Sequence, residues 1–391
     1  MAVYICGFVL SCLFIKISES YKKNRILKSI FASIAIVIPC LIAGLRFYTI
    51  GTDTRGYIKP MFNFALNTEN YIRYLNLSWQ GANGIRHIDS FEKAFSLLVF
   101  VIASITKNFH LLLFVIHLLI LVPIYSGLKK FKSLNNSKWL AMLIFYFMFF
   151  NVSLNIVRQY IGIAIVFWGT SCLLNDQKGK LKFFISIAIA CLFHNSSILG
   201  LVIYFIYLMI GYNKNEKKVV VKISQYRFSL NTLVVMFLII FSVLIINNAS
   251  WIAKILDILN MGYYGNYING DVHFVLSSII ELLPIAVLFL LCGKKFIKKY
   301  ENSYFLIINY VLNYLIIQLS SINPYASRIG YIFSIFNMVL FTEIINTFDK
   351  KISKAIVLFL LVIYLFTFWY YNFVYLGRNE TIPYVFYNKL L

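Results

Sequence analysis

Long apolar runs separated by short basic segments constrain the fold of this chain more than any other feature of its sequence. The runs at 27–45, 156–174 and 355–375 each have about the length that crosses a bilayer as a helix. The chain is 61% hydrophobic and only 13% charged, which excludes a soluble globular protein of this size. We therefore predict an all-α, polytopic integral membrane protein with about 12 transmembrane helices (roughly 11–13).

The basic segments between the runs set the predicted orientation. Six of them hold 24 of the 36 Lys and Arg residues, and such positive segments face the cytoplasm. These segments are 16–28, 129–138, 178–182, 214–227, 294–299 and 350–354. Because the net charge of +22 follows the predicted topology, it does not indicate nucleic acid as a partner.

This orientation requires an irregular start to the apolar run at 94–128. The run must cross the membrane once for the basic segment at 129–138 to lie inside. We therefore predict one full crossing at about 109–128. It is preceded by a helix at about 91–107 that lies in the interface or re-enters the membrane.

The run at 182–211 must be irregular as well, because both flanking basic segments are expected inside. We predict a re-entrant or broken helix whose turn at His194 is recessed in the membrane. Non-helical backbone at that depth is tolerated only where it lines a cavity or is buried in protein.

The chain is predicted to form a single transmembrane domain, 1–391, since no repeat and no low-complexity linker divides it. A larger extracytoplasmic loop covers about 46–92, and a second outer loop covers about 248–272. The six Cys form no CxxC pair, so neither a disulfide framework nor a metal site is expected.

Arginine and lysine are divided between the two predicted faces. Of the nine arginines, only Arg25 and Arg227 fall in cytoplasmic segments. The others fall on the predicted outer side, at Arg46, Arg55, Arg73, Arg86, Arg158, Arg328 and Arg378. Lys suffices as a topological charge, whereas Arg offers an always-charged, bidentate contact. The division favours an outward-facing anionic ligand, such as a phosphate or pyrophosphate.

The polar segment at 45–57 follows an apolar run directly and holds the candidate residues that lie closest together in the sequence. Gly51 suits a sharply turning backbone that a ligand can approach closely. Arg46 offers a planar donor fork, and Asp53 is the only nearby acid. The alternative is a solvated loop after a membrane helix, capped by Asp and Thr.

Polar residues also interrupt three later apolar stretches. Arg158 and Gln159 begin an apolar helix, where a charge is expensive and is usually functional or paired. The alternative for Arg158 is snorkelling to the outer headgroups. His194 suits proton transfer, or simply a polar turn that breaks the helix. Arg328 follows a short turn at 323–327 that is either part of an anion site or an ordinary connector.

Four motifs in this order resemble the EpsG family, the Wzy-like polymerases and related membrane proteins of bacterial exopolysaccharide, capsule and O-antigen synthesis. Arg46 followed by GTDTRGY at 51–57 is similar to the R…GTDxxxY signature of that family. The other matches are NIVRQ at 155–159, FHNSS at 193–197 and RIGY at 328–331.

The resemblance implies a GT-C-like polymerase in the bacterial cytoplasmic (inner) membrane. Such an enzyme joins polyprenyl-diphosphate-linked oligosaccharide repeats on the outer face of that membrane. A hydroxyl of one lipid-linked unit attacks the anomeric carbon of another and releases polyprenyl diphosphate. The expected partners are this substrate, the bilayer, a chain-length regulator and other polysaccharide-export proteins.

The polar residues and the family resemblance together predict residue roles for a reaction that uses no metal and no cofactor. Arg46, Arg158 and Arg328 are expected to grip the diphosphate and stabilise the charge that develops as it leaves. Asp53 or His194 takes the proton from the acceptor hydroxyl. Asp53, His194 and Arg158 are thus the catalytic candidates. The further substrate-binding candidates are Gly51, Thr52, Tyr57, Gln159 and Tyr331.

Two other functions use the same residues. A transporter or flippase of a lipid-linked glycan would need the anion-binding cavity but no bond formation. Access from both faces and inverted repeats are typical of transporters, whereas the candidates here gather on one side. A membrane acyltransferase acting on the glycan is the third reading, and His194 alone supports it.

Overall fold

The computed structural model describes residues 1–81, 84–215, 220–223, 226–229, 276–318 and 327–387. The chain divides into two compact units, which are described separately below. The first unit comprises Met1–Ile198 and Ala355–Leu391, and the second comprises Leu199–Lys354.

Helices make up most of the first unit. They are α1 (Ala2–Ser20), α2 (Arg25–Gly44), α3 (Lys59–Leu66), α4 (Tyr71–Leu75), α5 (Lys93–Thr106), α6 (Phe109–Leu128), α7 (Lys138–Phe145), α8 (Asn151–Asn155), α9 (Val157–Asn175) and α10 (Gly179–Phe193). Short helical turns lie at Thr54–Ile58, Ile88–Ser90, Lys132–Leu134, Tyr146–Phe150, Tyr370–Tyr375 and Arg378–Glu380. Strands β1 (Ser78–Gly81) and β2 (Gly84–His87) form an antiparallel hairpin.

Small residues bring α9 close to α10 and to the turn at Asn195–Leu199 that follows α10. A Cβ on Gly169 would lie 1.8 Å from Ser186 Oγ, and one on Gly162 would lie 2.2 Å from Ser197 Oγ. Close backbone approach through small residues is a common way for membrane helices to pack, because lipid gives little hydrophobic drive for association. The packing fixes the end of α10 beside the beginning of α9.

The helix that ends at Asn155 runs through the interior of the first unit. α7, the turn Tyr146–Phe150 and α8 continue one another, and most of the segment is buried. The backbone of Ile156 then leaves the helical region, with φ −91° and ψ 62°, and α9 begins at Val157. The break places Asn155 and the first turn of α9 at the same end of the unit.

The two irregular segments predicted from the charge pattern correspond to defined elements. α5 has 14 residues, about 21 Å, which is shorter than the hydrocarbon core, and α6 follows as a full-length helix. α10 ends at Phe193, His194 is extended, and a 3₁₀ turn at Asn195–Leu199 follows. A broken helix is therefore present near 182–211, and its break is at His194.

The opposite end of the first unit carries a lysine–aspartate cluster. Asp176, just beyond α9, accepts from Lys130 Nζ at 2.9 Å and from Lys182 Nζ at 2.7 Å. These lysines belong to segments that the positive-inside rule assigns to the cytoplasm. The beginning of α9 and the end of α10 accordingly lie at the end predicted to face outward.

The second unit contains α11 (Gly200–Asn215), α12 (Leu276–Lys299), α13 (Ser303–Gln318), α14 (Ser327–Ser334) and α15 (Asn337–Ile345). It also holds an antiparallel hairpin of β3 (Val220–Ile223) and β4 (Tyr226–Ser229). α16 (Lys351–Trp369) lies mostly in the first unit. The predicted outer loop at 248–272 and the turn residues 323–326 lie outside the described residues.

Helices long and apolar enough to cross a membrane confirm the all-α membrane class. Within the described ranges there are seven of them. They are Ala2–Ser20, Arg25–Gly44, Phe109–Leu128, Lys138–Asn155, Val157–Asn175, Arg328–Ile345 and Lys351–Tyr375. The protein is thus a multi-pass membrane protein.

Candidate functional site

Five polar side chains from four separate segments meet at the predicted outer end of the first unit. We call them the Glu92 cluster, which comprises Asp53, Tyr57, Glu92, Arg158 and His194. Asp53 and Tyr57 belong to the loop after α2, Glu92 immediately precedes α5, Arg158 is in the first turn of α9, and His194 follows α10. The cluster therefore brings together three of the four motifs that the sequence placed apart.

Glu92 is the centre of the cluster. Its Oε1 lies 2.8 Å from His194 Nδ1 and accepts from the Asn195 backbone N–H at 3.3 Å. Its Oε2 accepts from Arg158 Nη1. Burial alone would raise the pKa of Glu92, but the His194 hydrogen bond and the charge of Arg158 outweigh it and lower this pKa to about 2. The carboxylate is therefore ionised at neutral pH.

Arg158 is held by two aromatic rings as well as by Glu92. Its guanidinium carbon lies 4.8 Å from the Tyr57 ring centroid and 4.7 Å from that of Phe91. Such cation–π contacts orient the planar guanidinium. Its Nε is buried and has no hydrogen-bond partner within the described ranges. Arg158 is thus a fixed cation with donor capacity left for an anion.

Tyr57 contacts both Asp53 and Arg158. Its hydroxyl donates to Asp53 Oδ2 at 2.6 Å. Burial and then the charge of Asp53 raise the pKa of Tyr57 well above its usual value, so the phenol stays protonated. Tyr57 therefore orders Asp53 and covers the guanidinium of Arg158 at the same time.

The loop that carries Asp53 is seated on the end of α8. Gly51 has φ +85°, and a Cβ there would lie 2.6 Å from the Leu154 carbonyl oxygen. The Thr52 hydroxyl donates to Asn155 Oδ1 at 2.5 Å, and the Asp53 backbone N–H donates to the same oxygen at 3.3 Å. Gly51 and Thr52, which were expected to bind substrate, thus shape the loop that presents Asp53.

Arg46 is fully buried beneath this loop. Its Nη2 donates to Thr54 Oγ1 at 3.0 Å and to the Leu154 carbonyl at 3.2 Å. Its Nε and Nη1 have no hydrogen-bond partner in the described part of the chain. Burial lowers the pKa of Arg46 to about 10, opposed by Tyr4 and Tyr384, so it remains charged at neutral pH. Arg46 therefore stabilises the loop through its hydrogen bonds to Thr54 and Leu154. A direct contact of Arg46 with the diphosphate stays a prediction.

A segment near the C-terminus, residues 377–387, covers the same loop. The Phe47 backbone N–H donates to the Val385 carbonyl at 2.8 Å, and the Gly51 N–H donates to the Glu380 carbonyl at 3.2 Å. Side-chain contacts join the segment to the interior as well. These backbone hydrogen bonds link residues more than 300 positions apart. Because they pair the segment 377–387 with residues close to Arg46 in the sequence, the segment covers Arg46.

The remaining candidates lie in two places. Gln159 follows Arg158 on α9 and is buried, so it belongs to the first unit. Arg328 and Tyr331 lie one turn apart on α14 in the second unit. Their roles in substrate binding stay predictions.

Sequence reasoning missed Glu92 and the 377–387 segment. A signal for Glu92 was present, because a carboxylate directly before the apolar helix at 93–106 is a polar group at the membrane boundary. No comparable signal marks 377–387, whose role depends on backbone hydrogen bonds to a distant loop. Asn155 was part of a recognised motif, but its contact with the 51–53 loop was not predicted.

The Glu92 cluster combines the chemical elements of group transfer onto a hydroxyl. It holds an imidazole whose ring is fixed by a carboxylate, and a guanidinium suited to a departing phosphate. A second carboxylate, Asp53, lies close by. Among the described residues, no group of three or more His, Cys, Asp or Glu side chains is arranged to bind a metal ion.

Comparison with known proteins identifies the family. The family model of the EpsG family matches residues 29–386, which is nearly the whole chain and includes the entire Glu92 cluster. No curated protein and no solved structure matches the chain significantly. Coverage of this extent is not limited to one shared motif, and the chain belongs to the EpsG family.

Proposed function

We propose that this protein is a polysaccharide polymerase, a metal-independent glycosyltransferase that joins polyprenyl-diphosphate-linked oligosaccharide repeats. Membership of the EpsG family supports a polymerase-like role. The observation that carries the proposal is the contact of Arg158 and His194 with the two oxygens of one carboxylate, Glu92. A cation for the leaving diphosphate and a base for the attacking hydroxyl are thereby held side by side.

The proposed reaction needs only these two functions from the protein. The acceptor hydroxyl oxygen forms a bond to the anomeric carbon of the donor sugar, and the bond from that carbon to the diphosphate oxygen breaks. The electron pair leaves with polyprenyl diphosphate, where Arg158 offsets the developing charge. Asp53 or His194 accepts the proton of the hydroxyl.

The setting of the reaction is part of the proposal. We place the Glu92 cluster at the outer face of the bacterial cytoplasmic membrane, since the lysine–aspartate cluster marks the opposite end. The chain is proposed to form one transmembrane domain of about 12 helices with a GT-C-like architecture. A chain-length regulator and other export proteins of exopolysaccharide, capsule or O-antigen synthesis are the proposed partners.

An in vitro polymerisation assay tests the function directly. Purified protein is mixed with synthetic polyprenyl-diphosphate repeats, without nucleotide sugar or metal, and the products are separated on a gel. We expect a ladder spaced by one repeat for the wild type and for His87→Ala, which changes an exposed histidine outside the cluster. Arg158→Gln should abolish the ladder.

The same preparation distinguishes the alternatives. If no ladder forms while the protein moves labelled lipid across proteoliposome membranes, a flippase replaces the polymerase. If the protein transfers acyl groups to the glycan instead, the acyltransferase reading replaces both.

A further inference from the structure

We propose that Glu92 is a positioning residue that makes His194 the proton acceptor and holds Arg158 beside it as one assembled unit. The inference rests on the proposed glycosyl transfer and deepens it, because it decides between the two candidate bases. It goes beyond the sequence motifs, none of which includes Glu92. Three hydrogen bonds to one carboxylate carry it.

The hydrogen bond to Glu92 fixes the position of the proton on His194. An ionised carboxylate can only accept hydrogen bonds, so at 2.8 Å from Glu92 Oε1 the Nδ1 atom must carry a hydrogen. In the neutral ring the lone pair is then on Nε2. Since the side chain of His194 is 26% exposed, the imidazole is reachable by a substrate hydroxyl.

Glu92 binds both His194 and Arg158 at the same time. Its side chain is only 9% exposed, and both of its oxygens accept from the protein. The Asn195 N–H adds a third hydrogen bond, from the turn that begins where α10 ends. Glu92 therefore joins the starts of α5 and α9 to the end of α10, and it fixes the spacing of base and cation.

The contacts of Asp53 and His194 differ, and they favour His194 as the base. Asp53 Oδ2 already accepts from the Tyr57 hydroxyl, whose ring covers Arg158. Asp53 is thus placed to order the arginine side of the cluster. His194 has the oriented lone pair, and its protonated form would be stabilised by the carboxylate behind it, as in other carboxylate–histidine pairs.

The proton and electron balance is simple. As the acceptor oxygen bonds to the anomeric carbon, its proton moves to His194 Nε2, and Glu92 stabilises the resulting imidazolium. The broken carbon–oxygen bond leaves its electron pair on polyprenyl diphosphate beside Arg158. The His194 proton returns to solvent or to the released diphosphate before the next cycle.

The tautomer of His194 can be measured without any substrate. Protein labelled with ¹⁵N-histidine is reconstituted in liposomes, and the His194→Asn variant identifies the His194 signals in the NMR spectrum. We expect hydrogen on Nδ1 and a free Nε2 in the wild type, and a mixture of tautomers in Glu92→Gln, because an amide can donate as well as accept. A wild-type ring that carries its hydrogen on Nε2 overturns the inference.

Kinetics then test the consequence for catalysis. Glu92→Gln should lower kcat by about 10²- to 10⁴-fold, the range seen when such pairs lose their carboxylate. The KM for the donor should not rise, since Arg158 loses a competing anion. Glu92→Asp keeps the charge and should recover part of kcat. Asp89→Asn, an exposed acid just before Glu92, is the matched control and should behave as wild type.

The pH profile excludes a merely structural role. In the described part of the chain, the charged and titratable side chains that act on Glu92 are His194 after α10 and Arg158 on α9, and Asp53 and Tyr57 on the loop after α2 act in turn on Arg158. With these groups unchanged, loss of the neighbouring negative charge should move the low-pH limb of kcat to lower pH in Glu92→Gln, and the limb should stay in place in Glu92→Asp. Loss of folded protein would lower kcat without moving the limb.

Two results have distinct meanings. If the wild type builds a ladder and Glu92→Gln keeps its kcat and its low-pH limb, Glu92 has no positioning role. If the wild type builds no ladder, the proposed polymerase and the base role both fail, while the tautomer measurement still decides whether Glu92 orients His194.

Discussion

The side-chain amide of Asn155 joins the loop at 52–53 to Asn379, which lies 224 residues beyond Asn155 in the sequence. Its Nδ2 donates to Asn379 Oδ1 at 2.9 Å, and its Oδ1 accepts from Thr52 and from the Asp53 backbone N–H. One amide at the end of α8 therefore binds both the loop that presents Asp53 and the segment that covers it.

Replacing Asn155 should disorganise the loop. Asn155→Leu leaves the Asp53 N–H and the Thr52 hydroxyl without their acceptor, which costs on the order of 1 kcal/mol because both donors are only part-buried. We expect a lower melting temperature in detergent and at least a tenfold loss of polymerisation. Asn379→Gly is the matched control, because it removes only the other half of the bridge and glycine suits φ +69°. An equal loss of activity in both variants would contradict a specific role for the loop contact.

Gly51 should tolerate no side chain. In Gly51→Ala the Cβ meets the Leu154 carbonyl oxygen at 2.6 Å in a backbone with φ +85°, so the loop must move. We expect a destabilisation of about 1–3 kcal/mol and a loss of activity larger than the loss of folded protein. Gly377→Ala has a positive φ but open space around it, so it separates the effect of strain from that of the clash. Activity is measured per amount of monodisperse protein.

Arg158→Lys should impair the proposed polymerisation although it keeps the charge. An ammonium can neither spread over the rings of Tyr57 and Phe91 nor offer a planar donor fork. We expect a loss of kcat/KM of about 10²-fold or more, equivalent to about 2.7 kcal/mol. Arg55→Lys is the control, because Arg55 is more than half exposed and pairs with an exposed Glu380. Wild-type kinetics in Arg158→Lys would exclude a bidentate contact with the leaving group.

The stability that Glu92 provides should depend on pH. Its pKa is lowered from 4.5 to about 2 by His194 and Arg158, against the effect of burial. The ionised carboxylate therefore stabilises the folded protein above about pH 4.5, and this contribution is lost as the pH falls toward 2. The melting temperature of the wild type should exceed that of Glu92→Gln at pH 6, and the difference should shrink between pH 4.5 and pH 3. A difference that is constant over this window would mean that the carboxylate is not the source of the stability.

Much of the helical architecture could be predicted because it follows from local composition. The break at His194 and the short helix before α6 were required by the positive segments on either side. The same rule predicts from the sequence alone that Asp53, Arg158 and His194 lie at one end of the protein. The predicted topology and the charge pattern are therefore sufficient to predict that these motifs lie at the same end of the protein.

The contacts within the site could not be predicted in the same way. The role of Glu92 depends on three helix ends meeting at one carboxylate, and no local pattern encodes that meeting. The burial of Arg46 has a similar origin, because backbone pairing with 377–387 covers it. Sequence patterns report the periodicity of single elements, whereas these features depend on tertiary packing.

The cover over Arg46 has a consequence for how the protein is made. The ribosome synthesises 45–55 early, but its backbone partners at 380–387 are synthesised only after all the intervening helices. Membrane insertion of α1 to α10 therefore precedes the closing of the loop that presents Asp53. The loop therefore lacks these backbone partners while the intervening helices are being inserted, and it gains them only through late tertiary packing.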